Sequence, residues 1–162
     1  MVKLDPIDRR LLVHLQRDSG LSVEELGEQV GLSRNACWRR IKRLDESGVI
    51  KGRVALCDPE ALGLGLTVFI AVRADRHDEE WLEAFTKAVT GIPEILRAYR
   101  TSGDLDYLLH ARVADVQAYD RLYQRLIRRI ALKDISASFV MEEIKETTAL
   151  PVLELGARPW DP

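Results

Sequence analysis

Two short runs of helical periodicity, each opened by a serine and divided by one glycine, constrain this chain more than any other part of it. Residues 22 to 48 read SVEELGEQVGLSRNACWRRIKRLDESG. Ser22 and Glu25 stand at the spacing of a capping box, in which each side chain satisfies the other residue's backbone N–H. Val23, Leu26 and Val30 recur at helical spacing to form a buried face, and Gly31 ends the helix by taking a left-handed geometry that other residues resist. The turn is Gly31-Leu32-Ser33. Ser33 then caps a second helix that runs to about Ser47, with Gly48 as its terminator.

At about 100° per residue, Cys37, Ile41 and Leu44 share one side of the second helix, and Asn35, Arg39, Lys42, Arg43 and Glu46 lie roughly opposite. An apolar side that packs and a cationic side that faces out is the pattern of a DNA-reading helix-turn-helix, whose second helix enters the major groove N-terminal end first. Arg34, Asn35 and Arg39 are therefore candidates for base edges, Lys42, Arg43, Lys51 and Arg53 for the phosphate backbone, and Ser33 and Arg40 for further DNA contacts. Trp38 lies at the edge between the two sides and reads as a packing residue before a wedge between bases. Upstream, Asp5 and Pro6 cap a helix that packs Ile7, Leu11, Leu12 and Leu15, the third helix such a module needs. Downstream, Val49 to Leu56 alternates as a strand and predicts a small wing.

The formal charge of the whole chain is -2, an unpromising value for a nucleic-acid binder. It divides unevenly. Up to Arg53 the net charge is +3, and the remainder carries -5. The 162 residues leave room for a small reading head and one compact second domain. With no long apolar run and no signal peptide in the sequence, a soluble, cytoplasmic protein that contacts no membrane is expected. Cys37 and Cys57 lack metal-ligand spacing and read as small hydrophobes; His14, His77 and His110 are scattered, so neither a metal site nor a cofactor is expected. No nucleophile elbow or phosphate loop occurs, which argues against an enzyme.

The connector LCDPEALGLG, residues 56 to 65, carries one proline and two glycines and marks a turn between domains. Expected boundaries are 1–53 for the reading head, 54–65 for a connecting strand and hinge, 66–150 for the second domain and 151–162 for a tail. The second domain reads as a strand over Leu66 to Asp75, then a helix capped by Asp78 with Trp81, Leu82, Phe85, Ala88 and Val89 inward. Strands over Glu94 to Ser102 and Asp106 to Val113 follow. Asp115 caps a second helix burying Val116, Tyr119, Leu122, Leu126 and Ile130, and Ile135 to Ile144 is the last strand. The fold class is thus α+β: a winged helix-turn-helix followed by a βαββαβ, ferredoxin-like domain with both helices on one face of an antiparallel sheet. Apolar residues on both faces of the first strand predict a second copy on the open face, and a two-fold dimer would present two reading heads to a pseudo-palindromic DNA site.

Four stretches, LDPIDRRLL from Leu4, RRIKRLDESGVI from Arg39, SGDLDYLL from Ser102 and FVMEEIK from Phe139, carry a resemblance to the Lrp/AsnC family of transcription regulators. It covers Leu4 to Pro151, and around Cys37-Trp38 and Asp58-Pro59-Glu60 it is similar to members that respond to cysteine. The resemblance implies a RAM or ACT-like second domain that binds a small amino-acid effector, homodimers that assemble further to octamers, and control of amino-acid metabolism genes. It places the effector between subunits, against Tyr99, Thr101, Ser102, Gly103, Asp104, Asp106 and Tyr107 and against Ser138, Phe139 and Val140 of the last strand. On chemical grounds Asp104 or Asp106 suits an ammonium group and the amides around Gly103 suit a carboxylate; from the residues alone a plain hairpin turn with Asp106 as a surface carboxylate is the favoured reading, and the resemblance reverses that preference. Two departures from the family pattern stand out. Asn35-Ala36 replaces the usual Ser or Thr followed by Pro or Thr, and Ile130 to Asp134 is shorter than the usual loop before the last strand. A nucleoid-architecture protein with little effector response and an Lrp-like tetrapyrrole decarboxylase share the architecture and are the alternative readings.

Overall fold

The computed structural model describes residues 3–152, which form two compact units. The first takes in the chain up to Ala55 together with the stretch from Lys145 onward, and the second is Leu56–Ile144. In the first unit, α1 (Pro6–Arg17), α2 (Val23–Val30) and α3 (Arg34–Glu46) pack as a trihelical bundle around Leu11, Leu26, Val30, Cys37 and Ile41. Asp5 and Asp8 make a full capping box on α1, as Ser22 and Glu25 do on α2. Gly31 takes φ +72°, and the Leu32 N–H donates to the Gly27 carbonyl at 2.8 Å, closing the turn before Ser33 caps α3.

The wing expected over Val49 to Leu56 does not form. Among the described residues that segment belongs to no ladder, and Val54 and Leu56 are 77% and 74% exposed. Alternation supplies a face to bury but not a partner for the strand's N–H and C=O groups, and among the described residues no second strand pairs there. Lys145 to Leu150, expected in the second domain, lies with the first unit instead, as do Pro151 and Val152 of the expected tail. The Gln16 side-chain amide donates to the Leu150 carbonyl at 3.1 Å and accepts the Leu150 N–H at 2.7 Å, and Arg9 Nη1 donates to the Val152 carbonyl at 3.2 Å. Residues 153–162 of the expected tail lie outside the described residues.

The second unit runs β1 (Leu66–Ala74), α4 (Glu79–Thr90), β2 (Ile95–Arg100), β3 (Tyr107–Val113), α5 (Val116–Ile127) and β4 (Leu132–Phe139). Its strands form one antiparallel sheet in the order β2-β3-β1-β4. Val68, Ile70, Val72 and Ala74 of β1 point to one face with Tyr107, Leu109, Ala111 and Val113 of β3, and there meet Trp81, Phe85, Leu122 and Leu126 of the two helices. Asp78 and Asp115 cap α4 and α5 as expected. Leu82 and Val116, expected inward, are exposed, because the stripe through Trp81, Phe85, Ala88 and Val89 and the stripe through Leu122 and Leu126 already fill the space over the sheet. The last strand starts and ends earlier than the expected Ile135 to Ile144. Its register pairs Leu132 with Ala74 and Phe139 with Val68, so β1 ends soon after Phe139 and only the Val140 N–H, donating to Thr67 at 3.0 Å, continues the ladder.

Gly27 lies inside α2, where a glycine has no propensity advantage. A Cβ built there would sit 2.7 Å from the Leu32 carbonyl oxygen, so the helix and its turn approach more closely than a methyl group allows. Gly27→Ala is expected to destabilise the reading head by about 1–3 kcal/mol, the range for overpacking a tight site, read as a lower midpoint in urea unfolding. A gain of stability from the better helix former would show that the turn yields.

Candidate nucleic-acid interface and ligand site

Helix α3 buries Cys37, Ile41 and Leu44 and leaves Arg34, Asn35, Arg39 and Lys42 exposed. Ser33 is occupied as the cap, its Oγ accepting the Ala36 N–H at 3.4 Å. Burial pushes the Cys37 thiol pKa up, which suits a packing residue better than a reactive one. Trp38 is 51% exposed, with the Lys42 ammonium 5.2 Å from its ring centroid. It is therefore on the outer face and not a packing residue, since the three buried residues already complete the contact with α1 and α2. Leu32, Ala36, Arg39, Arg40 and Arg43 line a groove of about 360 Å³ along the same helix.

Arg40 and Arg43, read from the sequence as DNA contacts, turn toward α1. Arg40 Nη1 donates to Asp5 Oδ2 at 2.5 Å and to Asp8 Oδ1 at 2.8 Å, and Arg43 Nη2 pairs with Asp8 Oδ2. Asp8 is fully buried, and the Arg40 side chain is 26% exposed. The Arg40 guanidinium holds the Asp5 carboxyl below its ordinary range, and the bonds to Asp5 and then Asp8 raise the pKa of Arg40 itself. Arg40 is thus an internal ion-pair partner, whereas Arg43 remains half exposed. The spacings Asp5-x-x-Asp8 and Arg40-x-x-Arg43 were the available signal, and nothing in either one alone says that they meet. Lys51 and Arg53 are exposed, Arg53 donating to Asp45 at 3.2 Å. Such a surface pair contributes about 0–1 kcal/mol and exchanges readily for a phosphate.

In the second unit the turn before β3 is closed by its own bonds. The Thr101 N–H donates to the Asp106 carbonyl at 2.9 Å, Thr101 Oγ1 donates to the Leu105 carbonyl at 2.6 Å, and Gly103 takes φ +112° at the exposed tip. Arg73 Nε donates to the Asp104 carbonyl at 3.0 Å. Asp106 is engaged in the sheet: its N–H donates to Val72 at 3.2 Å, and Oδ2 accepts the Ala74 N–H at 2.8 Å, where β1 shifts register. His77 Nε2 lies 3.9 Å from the other Asp106 oxygen.

The residues expected to gather round an effector divide between two faces. Tyr99 and Ser138 lie on the helix-free face, Ser138 opposite Phe69, which stacks on His110 at 5.1 Å. Tyr107 lies in the core against Phe85 at 4.4 Å and Trp81 at 5.6 Å, and Phe139 meets the Tyr119 ring edge-on at 5.2 Å on the helix side. Tyr107 and Phe139 therefore lie on the helix side of the sheet and do not share the open face with Tyr99 and Ser138. The sequence missed Arg73 and Ala74, which fix the turn from the neighbouring strand. Among the described residues no group of three or more His, Cys, Asp or Glu side chains is placed to hold a metal ion. No helix among them is long and apolar enough to cross a membrane.

Residues 4–51 match the family model of a winged helix-turn-helix DNA-binding domain, and residues 67–150 that of the Lrp/AsnC ligand-binding domain. The glutamate uptake regulatory protein of Zymomonas mobilis is 49% identical over 152 residues, which span 94% of this chain and 93% of that protein. The DNA-binding transcriptional activator DecR of Escherichia coli is 47% identical over 150 residues, spanning 92% and 99% of the two chains. Among solved structures, an AsnC family transcriptional regulator from Agrobacterium tumefaciens superposes with a TM-score of 0.89 at 48% identity, covering 92% of this chain and 97% of that one. A Neisseria meningitidis transcriptional regulator, solved in complex with L-methionine, also gives 0.89, at 37% identity and covering 93% and 97%.

Asp106→Ala removes the acceptor of the Ala74 N–H in a part-buried site. It is expected to destabilise the second unit by about 1–3 kcal/mol even without ligand, the penalty of an unsatisfied buried donor. Thermal unfolding of the ligand-free protein measures it, and an unchanged midpoint would mean that water replaces the carboxylate.

Proposed function

The chain belongs to the Lrp/AsnC family of transcription regulators, and from that premise we propose that it reads one DNA sequence through Arg34, Asn35 and Arg39 and takes a free amino acid as the effector of its second domain. The observation that carries the DNA half is the outer face of α3, where those three side chains are exposed at the end of the helix that enters the groove. Lys42, Lys51, Arg53 and the exposed half of Arg43 supply phosphate contacts, giving an attraction that weakens steeply with salt.

The amino-acid half rests on the ligand-binding domain match and on the L-methionine complex of a relative 37% identical to this chain. The names of the glutamate uptake regulator and of the leucine-responsive regulatory proteins, which are 39% identical, point the same way. In this reading the Thr101 to Asp106 turn, Tyr99 and Ser138 receive the effector where two copies meet. Asp104 accepts from its ammonium group and the amides at the tip donate to its carboxylate. The helix-free face, with Phe69, Tyr99 and Leu108, is the surface on which a second copy closes to make a dimer; dimers then assemble further, as far as octamers in the family pattern. The protein acts in the cytoplasm, where its DNA target lies, on genes of amino-acid metabolism.

Thermal unfolding of the full chain against the common amino acids at millimolar concentration tests the effector. A ligand present at 100 times its Kd stabilises by about 2.7 kcal/mol, so one amino acid is expected to raise the midpoint by several degrees and a flat panel would remove the effector assignment. For DNA, Arg39→Ala is expected to change which sequences are preferred. Lys42→Ala should weaken all sequences alike and reduce the dependence of log K on log salt by about one unit. Competition binding over a range of salt concentrations separates the two, and equal, sequence-independent weakening by both would overturn the base-reading role of Arg39.

A further inference from the structure

We propose that Asp8, a residue of α1 on the far side of the helix contact, is the positioning residue for base readout: it fixes the roll of α3 and so the direction in which Arg34, Asn35 and Arg39 project. The inference rests on the reading that these three residues contact bases. Its basis is the geometry around one fully buried carboxylate. Asp8 Oδ1 accepts from Arg40 Nη1 at 2.8 Å, and Oδ2 accepts from Arg43 Nη2 and from the Asp5 N–H at 3.1 Å. The Asp8 N–H donates in turn to Asp5 Oδ1 at 2.8 Å. The carboxylate is therefore part of the cap of α1 and cannot move without opening it.

Arg40 and Arg43 lie one turn apart on one edge of α3, so bonds from both to a single anchored carboxylate set the rotation of the helix as well as its height. The remaining contact of α3 with the bundle is made by Cys37, Ile41 and Leu44. Apolar burial is non-directional and permits a helix to roll by some degrees, whereas charge-assisted bonds to a guanidinium hold a direction. Base readout needs that direction, because a recognition side chain must be held within about 0.5 Å and 10–20° of its productive geometry. Arg39 adjoins Arg40 and shares its groove, so a roll of α3 is transmitted to it directly. Arg43 binds Asp8 through Nη2 and its side chain is half exposed.

The charges give this role a signature that a merely structural one lacks. Removing the charge of Asp8 adds one positive charge beside the DNA-facing helix, which favours phosphate attraction, while releasing the constraint on readout. The test uses the full chain, a duplex selected by the wild-type protein from a randomised pool, and a scrambled duplex of the same composition. Binding is measured well below the unfolding midpoint of each variant. Asp8→Asn is expected to lose at least tenfold in affinity for the selected duplex while holding the scrambled duplex as tightly as wild type or more so.

A ratio within twofold of wild type, or an equal loss on both duplexes, overturns the proposal. Should Asp8→Asn fail to fold, Arg40→Lys reads the same ratio, because it keeps the charge but its nitrogen sits one bond nearer the backbone than the Nη1 that donates to both Asp5 and Asp8. A fall of threefold or more supports the proposal and an unchanged ratio overturns it. Arg39→Ala separates the two levels: an unchanged ratio there removes the base-reading assignment, whereas a fall there with none in the Asp8 or Arg40 variant removes only the role of Asp8.

Discussion

Strand β1 is hydrogen-bonded on both sides, and the parity of its side chains decides the layout of the whole second unit. Val68, Ile70, Val72 and Ala74 face the helices, so their partners across β3 and β4 must face them too, and every alternate residue is committed to the open side. This one constraint explains why Ser138 and Phe139, adjacent in sequence, serve different surfaces. It also explains why Tyr107 belongs to the core while Tyr99, on the strand beyond, belongs to the helix-free face. The turn between β2 and β3 inherits its position from the same strand, through Arg73 on the Asp104 carbonyl and the Ala74 N–H on Asp106.

The reading head is organised differently. Its apolar core is small, and a buried carboxylate adds what the core lacks. Desolvating a carboxylate is costly unless it is paired and hydrogen-bonded, and Asp8 has two guanidinium partners and a backbone N–H. Breaking such a group by removing one partner is worth far more than any surface pair in the same unit, among them Lys42–Glu46 at 3.6 Å and Arg53–Asp45 at 3.2 Å. Two arginines that look like DNA contacts in a list of residues are thereby divided by geometry, Arg40 turned inward to the carboxylates of α1 and Arg43 retaining an exposed half.

Most of the fold was legible in the sequence because it is written in local signals. Caps at Ser22, Ser33, Asp78 and Asp115 and the stop at Gly31 each rest on one or two side chains and the backbone beside them, and all five stand where the pattern put them. What was not legible depends on partners distant in sequence. The wing failed because alternation at Val54 and Leu56 cannot reveal whether a second strand is present. The last strand lies N-terminal to its expected place because its limits are set by the length of β1, whose paired residues stand 58 to 71 positions earlier. Trp38 was misread because its exposure depends on how much of the packing face its neighbours fill. The Asp8 cluster was invisible for the same reason: cap chemistry at the start of α1 and a cationic row on α3 are each ordinary, and only the bundle brings them together.

The connections between the units bear on how an effector reaches DNA. The chain leaves the first unit after Ala55 and returns to it at Lys145, and neither crossing contains a helix or strand. From the end of β4 at Phe139 to Leu150, where Gln16 holds the backbone, eleven residues reach up to about 35–40 Å when extended. A segment that long and irregular transmits a small displacement of β4 poorly. An effector seated at Ser138 would therefore act less by pulling on α1 of its own chain than by favouring one arrangement of copies over another. Such a ligand shifts the balance only by its difference in affinity for the two arrangements, and by reciprocity the DNA that prefers one arrangement must raise the affinity for the effector by the same factor. In the proposed placement, where copies meet, an effector would gain that difference, since a site completed by two chains changes shape whenever their arrangement does.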